Sequence, residues 1–301
     1  YIEGIGFRNP SATVSGSVSF EGGNPVEDVI VYAEADGADN NFGSSLKFSG
    51  GIVEINNIEY EIPTNNLTLQ TWVTASDYIM SLRSTNNGDE IQLNAGKFIE
   101  NDVHSIGISV LIKDVSVSIE DRWHTVILKD SYPTGELDPE GNDVFKNISS
   151  LTDTSFIHLS AVLEQGESIK VFINGREITQ DYIDGFSASD AIPASGTEEE
   201  TAAVLKPELT LRPALQNYNL DATIDKVILG QGFLNQGYTG YLDEVRIWQR
   251  ALSSEEIRRD YRRYLSGGEN GLSIYLRMDE KEGTNVYDFS KKGFRQNKND
   301  G

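Results

Sequence analysis

Gly240-Tyr-Leu-Asp-Glu-Val-Arg-Ile-Trp-Gln-Arg-Ala-Leu-Ser-Ser-Glu-Glu-Ile257 reads as a strand running directly into a capped helix. In the strand, period-two alternation puts Asp243, Val245 and Ile247 on one side, facing a core. Ser253-Ser-Glu-Glu256 then forms a capping box, in which the Ser253 hydroxyl serves the Glu256 amide and the Glu256 carboxylate reaches back. Leu252 and Ile257 supply the hydrophobic staple. Ile257, Tyr261 and Leu265 make one apolar stripe, and Gly267-Gly268 stops the chain, so the spacing predicts a helix over 253–265.

Outward from this segment the chain again reads in period two. Ser45–Ile55 alternates around the Gly50-Gly51 pair, and Leu67, Leu69, Thr71 and Val73 share one face of a strand. Ile169–Ile178 is a hairpin whose Asn174-Gly175 supplies the two positive φ angles of a type I′ turn. Further strands are expected at 106–119, 123–129, 156–164, 224–230 and 239–248. Short strands with turn signals between them indicate an all-β, two-sheet antiparallel sandwich or jelly roll carrying one short C-terminal helix. Residues 130–155 and 184–222 break the rhythm and read as long loops.

The composition narrows the classes. Of 301 residues, 25 are Lys or Arg and 47 are Asp or Glu, giving a formal net charge of −22. That charge repels nucleic acid and anionic lipid, so neither is an expected partner. No stretch approaches the ~20 apolar residues of a membrane-spanning helix, so membrane insertion is not expected. Cysteine is absent, which removes disulfides and thiol chemistry and leaves the compartment open. The chain opens on Tyr1 without a signal peptide and reads as a piece of a longer protein. No P-loop, dinucleotide fingerprint or nucleophile elbow is present.

The 240–257 segment closely resembles the last strand and following helix of laminin-G-like, pentraxin-like modules, within the concanavalin A-like lectin/glucanase superfold. Ser45–Ile55, Leu67–Val73, His158–Val162 with Val171–Gly175, and Ile228–Gly230 fall in that family's order. The resemblance spans roughly residues 42–266. It implies a jelly roll in which lectins, glycosidases and inert spacers all occur. Val14–Tyr32 resembles the opening strands of carboxypeptidase-regulatory-like modules of bacterial surface proteins. Gly271–Ser290 looks like a strand that usually opens a laminin-G-like module, and either completes this sandwich or begins another. The expected organisation is a flanking β segment at 1–38, a laminin-G-like sandwich at 39–290 and a linker at 291–301.

Three sets of residues are candidates for function. Asp243, read as facing inward, needs a partner; Ca²⁺ is a common one for carboxylate oxygens. The resemblance implies a structural calcium there, with Asp36 and Asp39 in Ala35–Asn41 as further ligands. A salt bridge to Arg246 or Arg250, or plain exposure, is the simpler alternative. Asp138-Pro-Glu-Gly-Asn-Asp143 is a second acidic loop that a cation or plain solvent would suit. Overlapping it, Glu136-x-Asp138-x-Glu140 matches the acid spacing of laminarinase-type glycosidases, but Pro139 and two bracketing glycines argue for a turn instead of a strand.

The third set is aromatic, because sugar rings present apolar C–H faces. Trp123, Tyr132, Tyr218 and Tyr238 lie in or beside the loops and are the ligand-contact candidates, whereas Trp72 and Trp248 read as core. His104, His124 and His158 have no ligand-spaced neighbour, and His158 reads as structural. Asn66-Leu-Thr and Asn147-Ile-Ser fit the glycosylation acceptor pattern. The expected function is a non-catalytic module of a secreted or cell-surface protein, binding a glycan or a cell-surface protein beside neighbouring modules of its own chain. A passive spacer is the alternative, and a divergent glycoside hydrolase the third.

Overall fold

The computed structural model describes residues 45–49, 51–56, 61–74, 76–100, 102–114, 123–178, 218–231, 238–279 and 286–290. The expected flanking segment 1–38, Asp36 and Asp39, the small polar run 189–202 and the linker 291–301 lie outside these residues.

Two antiparallel sheets form the body. The larger has seven strands in the order Leu46–Ser49, Thr239–Trp248, Asn66–Thr74, Phe156–Glu164, Lys170–Ile173 and Arg176–Glu177, with Leu272–Leu276 also paired to Thr239–Trp248. The smaller runs Val53–Asn56, Lys226–Leu229, Ser76–Arg83, Glu90–Glu100, Val103–Lys113 and Trp123–Lys129. Alternation decides what lies between them. Leu67, Leu69 and Val73 meet Leu82, Ile91, Leu93, Ile106, Ile108 and Val110 in one continuous buried cluster. The protein is therefore an all-β sandwich, as the period-two pattern requires.

The hairpin turn is built as its sequence demands, with Asn174 at φ 49° and Gly175 at φ 75°. A Cβ on Gly175 would stand 2.7 Å from the Tyr261 ring, so close approach as well as the positive φ requires glycine there. Residues 130–155, expected as a loop, instead contain a two-stranded hairpin, Ser131–Leu137 with Asp143–Asn147. The C-terminal segment completes this sandwich: Leu272–Leu276 pairs with Val245–Trp248, beyond the point where Leu46–Ser49 leaves the same strand.

The deciding strand contains an irregularity that alternation does not foresee. Asp243 is opposite Trp72 and Arg246 opposite Gln70, so two residues, Glu244 and Val245, face the single Thr71. Glu244 takes φ 51° to make this bulge. The extra residue reverses the parity. Leu242, Val245 and Ile247 face the core, whereas Asp243 pairs with Trp72 on the outer face. The expectation that Asp243 shares a face with Val245 and Ile247 is thus corrected.

Glu244 and Arg246, both fully buried, are joined at 2.9 Å. The Tyr275 hydroxyl donates to the same Glu244 oxygen at 2.6 Å. Above them sits the helix Ser254–Asp260, which starts with the expected capping box and staple. Arg250 grips Glu256 at 2.7 and 2.9 Å, holding its carboxyl down to about 2. The helix is shorter than its apolar stripe suggests. Arg246 donates to the carbonyls of Asp260 and Arg263, and Trp72 Nε1 to that of Tyr261. The sheet thereby takes carbonyls that further helical turns would use, and Leu265 N–H turns to the Tyr275 hydroxyl.

Arg246→Ala leaves Glu244 buried without its counter-charge and should cost about 3–5 kcal/mol in urea unfolding. The double variant Glu244→Leu/Arg246→Met should recover much of that loss, because neither charge then remains.

Candidate functional site

The two outer faces of the sandwich differ in kind. That of the seven-stranded sheet is closed by the helix and the segment after it. Trp248, Phe172, Val162 and Tyr275 pack with Leu252, Ile257 and Leu265, and Trp72 packs with Tyr261. His158 lies in this seam, with Trp72 and Tyr261 ring centroids at 5.2 and 5.6 Å.

The outer face of the six-stranded sheet carries a polar row. Ile91 and Leu93 point to the core, so Glu90, Gln92 and Asn94 project the other way. Cross-strand register sets Ser81 beside Gln92 and Arg83 beside Glu90 on one flank. It sets Ser109 beside Asn94 on the other, with Thr125 beyond it. Gly96 and Gly107 face each other directly, next along the ladder. Apolar Leu111, Ile127 and Ile228 occupy positions on the same face.

At one end of the row the hydrogen bonds are complete. Glu90 Oε1 accepts from Arg83 Nε at 3.1 Å, from Gln92 Nε2 at 2.7 Å and from the Ser81 hydroxyl. At the other end they are missing. Gln92 is 0% exposed and Asn94 5%, yet Gln92 Oε1 and both amide atoms of Asn94 have no protein partner. A buried polar group left unpaired costs about 1–3 kcal/mol, and such groups call for a ligand or water. Asn94 and Gln92 are the residues that sequence reading missed. The signal was present, because Glu90-Ile-Gln-Leu-Asn94 alternates acid or amide with aliphatic residues.

The expected ligand contacts lie elsewhere. Tyr132, Tyr218 and Tyr238 are buried in the core. The Tyr218 hydroxyl donates to the Thr64 carbonyl at 2.6 Å, and that of Tyr238 to the carbonyls of Thr74 and Tyr241 at 3.0 Å. Rings packed into the core cluster offer no face to a ligand on the outside of either sheet, which corrects all three. Trp123 opens the edge strand opposite Leu111, in the same sheet as the polar row.

Asp243 is nearly buried, and its Oδ1 accepts from Glu244 N–H at 2.9 Å, so the carboxylate secures the bulge. Among the described residues no group of three or more His, Asp or Glu is placed to hold a metal. In the acidic loop, Asp138 accepts from Asn142 N–H and Nδ2 at 2.7 and 3.0 Å, and Asp143 pairs with Arg176. Glu136 is exposed on the two-stranded hairpin with Arg262 at 3.7 Å, and Glu140 lies in the turn. They do not form an acid pair on a central strand.

No protein-family model matches the chain, and no curated protein matches it. Solved structures similar to it include a Bacteroides ovatus protein provisionally named carbohydrate-binding, at 12% identity and a TM-score of 0.40, covering 81% of this chain and 54% of that one. Domains LG4-5 of the mouse laminin alpha1 chain match at 10% and 0.35, over 77% and 48%. The botulinum neurotoxin serotype D binding domain matches at 16% and 0.35, over 72% and 41%. The chain thus spans about half the length of these proteins or less. Likeness at this level carries no functional argument, and the fold rests on the topology described above.

Burial, with the Arg246 charge adding to it, holds the His158 pKa well below its ordinary 6.5; burial pushes that of His124 to about 4. Below pH 6.5 the unfolded chain takes up protons that the folded protein refuses. Stability is therefore lost as pH falls from 6.5 towards 4, by up to about 1.4 kcal/mol per pH unit for each histidine. His158→Phe, which keeps the ring contacts, should roughly halve that slope in urea unfolding between pH 6.5 and 4.5.

Proposed function

We propose that this protein is a non-catalytic glycan-binding module that uses the outer face of its six-stranded sheet. The observation supporting this reading is the row ending at Gln92 and Asn94, nearly buried side chains whose amide atoms have no partner within the protein. Amides on a rigid ladder, with Ser109 and Thr125 alongside and the side-chain-free Gly96–Gly107 pair next to them, suit a ligand rich in hydroxyl groups. Leu111, Ile127 and Ile228 on the same face suit the apolar faces of sugar rings. A secreted or cell-surface setting accompanies this reading.

Binding without hydrolysis follows from the residue types. Retaining hydrolysis uses two carboxyl groups about 5–5.5 Å apart. Here Glu90 is the one acid of the row, it is held by Arg83, and the next two positions on its face are amides. A structural calcium at Asp243, with Asp36 and Asp39 as its expected further ligands, is a separate proposal. A melting temperature that EDTA leaves unmoved removes that ion from the account.

A glycan array probed with the protein should give selective signals, with no release of reducing sugar from the bound glycans. Asn94→Ala should weaken them about tenfold or more, the equivalent of losing one to two hydrogen bonds, while circular dichroism stays unchanged. Signals that persist undiminished in Asn94→Ala displace the site from this face.

A further inference from the structure

We infer that the site takes an uncharged, hydroxyl-bearing sugar and discriminates against anionic ones; the inference rests on the glycan-binding reading. It follows from which atoms are already committed. Gln92 Nε2 donates to Glu90 at 2.7 Å. An ionised carboxylate only accepts, so the orientation of the Gln92 amide is fixed, and Oε1 is the atom left without a partner. Asn94 adds one acceptor, Oδ1, and one donor group, Nδ2, both unpaired. The unpaired set is therefore two acceptors and one amide donor group, all on nearly buried side chains that a ligand reaches only by displacing what covers them.

Each ligand class can be matched against that set. A carboxylate or sulfate oxygen only accepts hydrogen bonds, so it would meet Asn94 Nδ2 and leave two carbonyl oxygens facing a negative charge. An ammonium only donates, so it would leave Asn94 Nδ2 unserved. A hydroxyl both donates and accepts, and two hydroxyls serve all three atoms. Successive outward side chains on a strand stand ~6.7 Å apart, so the two hydroxyls belong to different positions of one sugar unit or to adjoining units.

Four basic residues stand on this face by register, Arg83, Lys226, Lys113 opposite Glu90 and Lys129 opposite Ser105, and the first two are paired with acids. Arg83 is paired with Glu90 at 3.1 Å and Lys226 with Glu54 at 2.9 Å. The chain carries a net charge of −22, which opposes the approach of an anion over longer range.

The test is isothermal titration of the wild-type protein with a panel of neutral gluco-, galacto- and manno-oligosaccharides, each matched to its C6-carboxylate counterpart. Binding to a neutral member with about tenfold or greater loss for its carboxylate partner is the expected result. Asn94→Asp, which keeps the shape but removes the donor and adds a charge, should lose affinity for the neutral sugar by a similar factor. Equal or tighter binding of the carboxylate member overturns the inference while the glycan-binding reading stands. Absence of binding by every member overturns that reading itself. The comparison on wild type decides the matter even where Asn94→Asp fails to fold.

Discussion

The buried Glu244–Arg246 pair is the constraint on which the rest of one face depends. Two charges taken fully out of water need each other and further hydrogen bonds besides. The bulge at Glu244 brings its carboxylate into reach, Tyr275 supplies a second donor to it, and Arg246 spends its remaining reach on the carbonyls of Asp260 and Arg263. Those last contacts dock the chain that follows the helix. The helix covers Trp248 and Phe172, its continuation covers Trp72, and the outer face of the seven-stranded sheet is closed.

Unpaired buried nitrogen alone does not mark a binding site, and the comparison of His158 with Asn94 shows why. Both nitrogens of His158 lack a hydrogen-bond partner. Its ring, however, is wedged between Trp72 and Tyr261 under the docked helix, neutral and enclosed by aromatic surface. Asn94 has no such packing role. It sits in a row of polar side chains on a sheet face, beside a glycine pair, and its amide has both a donor and an acceptor to offer. His158 serves packing, whereas Asn94 carries a donor and an acceptor that have no hydrogen-bond partner.

Much of the architecture was legible in the sequence because it follows from local rules. Period-two alternation located most of the strands, though not Ser76–Arg83 or Glu90–Glu100, while Asn174-Gly175 marked the hairpin and Ser253–Glu256 the start of the helix. The end of the helix was not legible, because it is set by Arg246 and Trp72, residues of two other strands that take the carbonyls. Nor was the side of Asp243, since alternation assumes an unbroken ladder and one extra residue at the bulge reverses it. Tyr218 and Tyr238 misled because nearness to loops in sequence says nothing of depth. Each donates its hydroxyl to a backbone carbonyl while its ring packs in the core. The hairpin at 131–147 hid behind Pro133, Gly135 and Gly141, turn-forming residues that a short two-stranded ribbon tolerates. The polar row was written plainly at Glu90–Asn94, yet it stood out only once the sheet showed which flank the row faces.

The chemistry open to this face is then decided by residue type at two positions instead of by the fold. A strand can present carboxyls at every second residue as readily as amides, and the ladder would hold either with equal rigidity. With Gln at 92 and Asn at 94, the one carboxylate of the row is drawn into a neutralising bond with Arg83. That bond, in turn, fixes which atom of Gln92 faces outward. The acid thus acts at one remove: it orients the amide that a ligand would meet. With amides at 92 and 94, the row offers hydrogen-bond donors and acceptors and no second carboxyl beside Glu90.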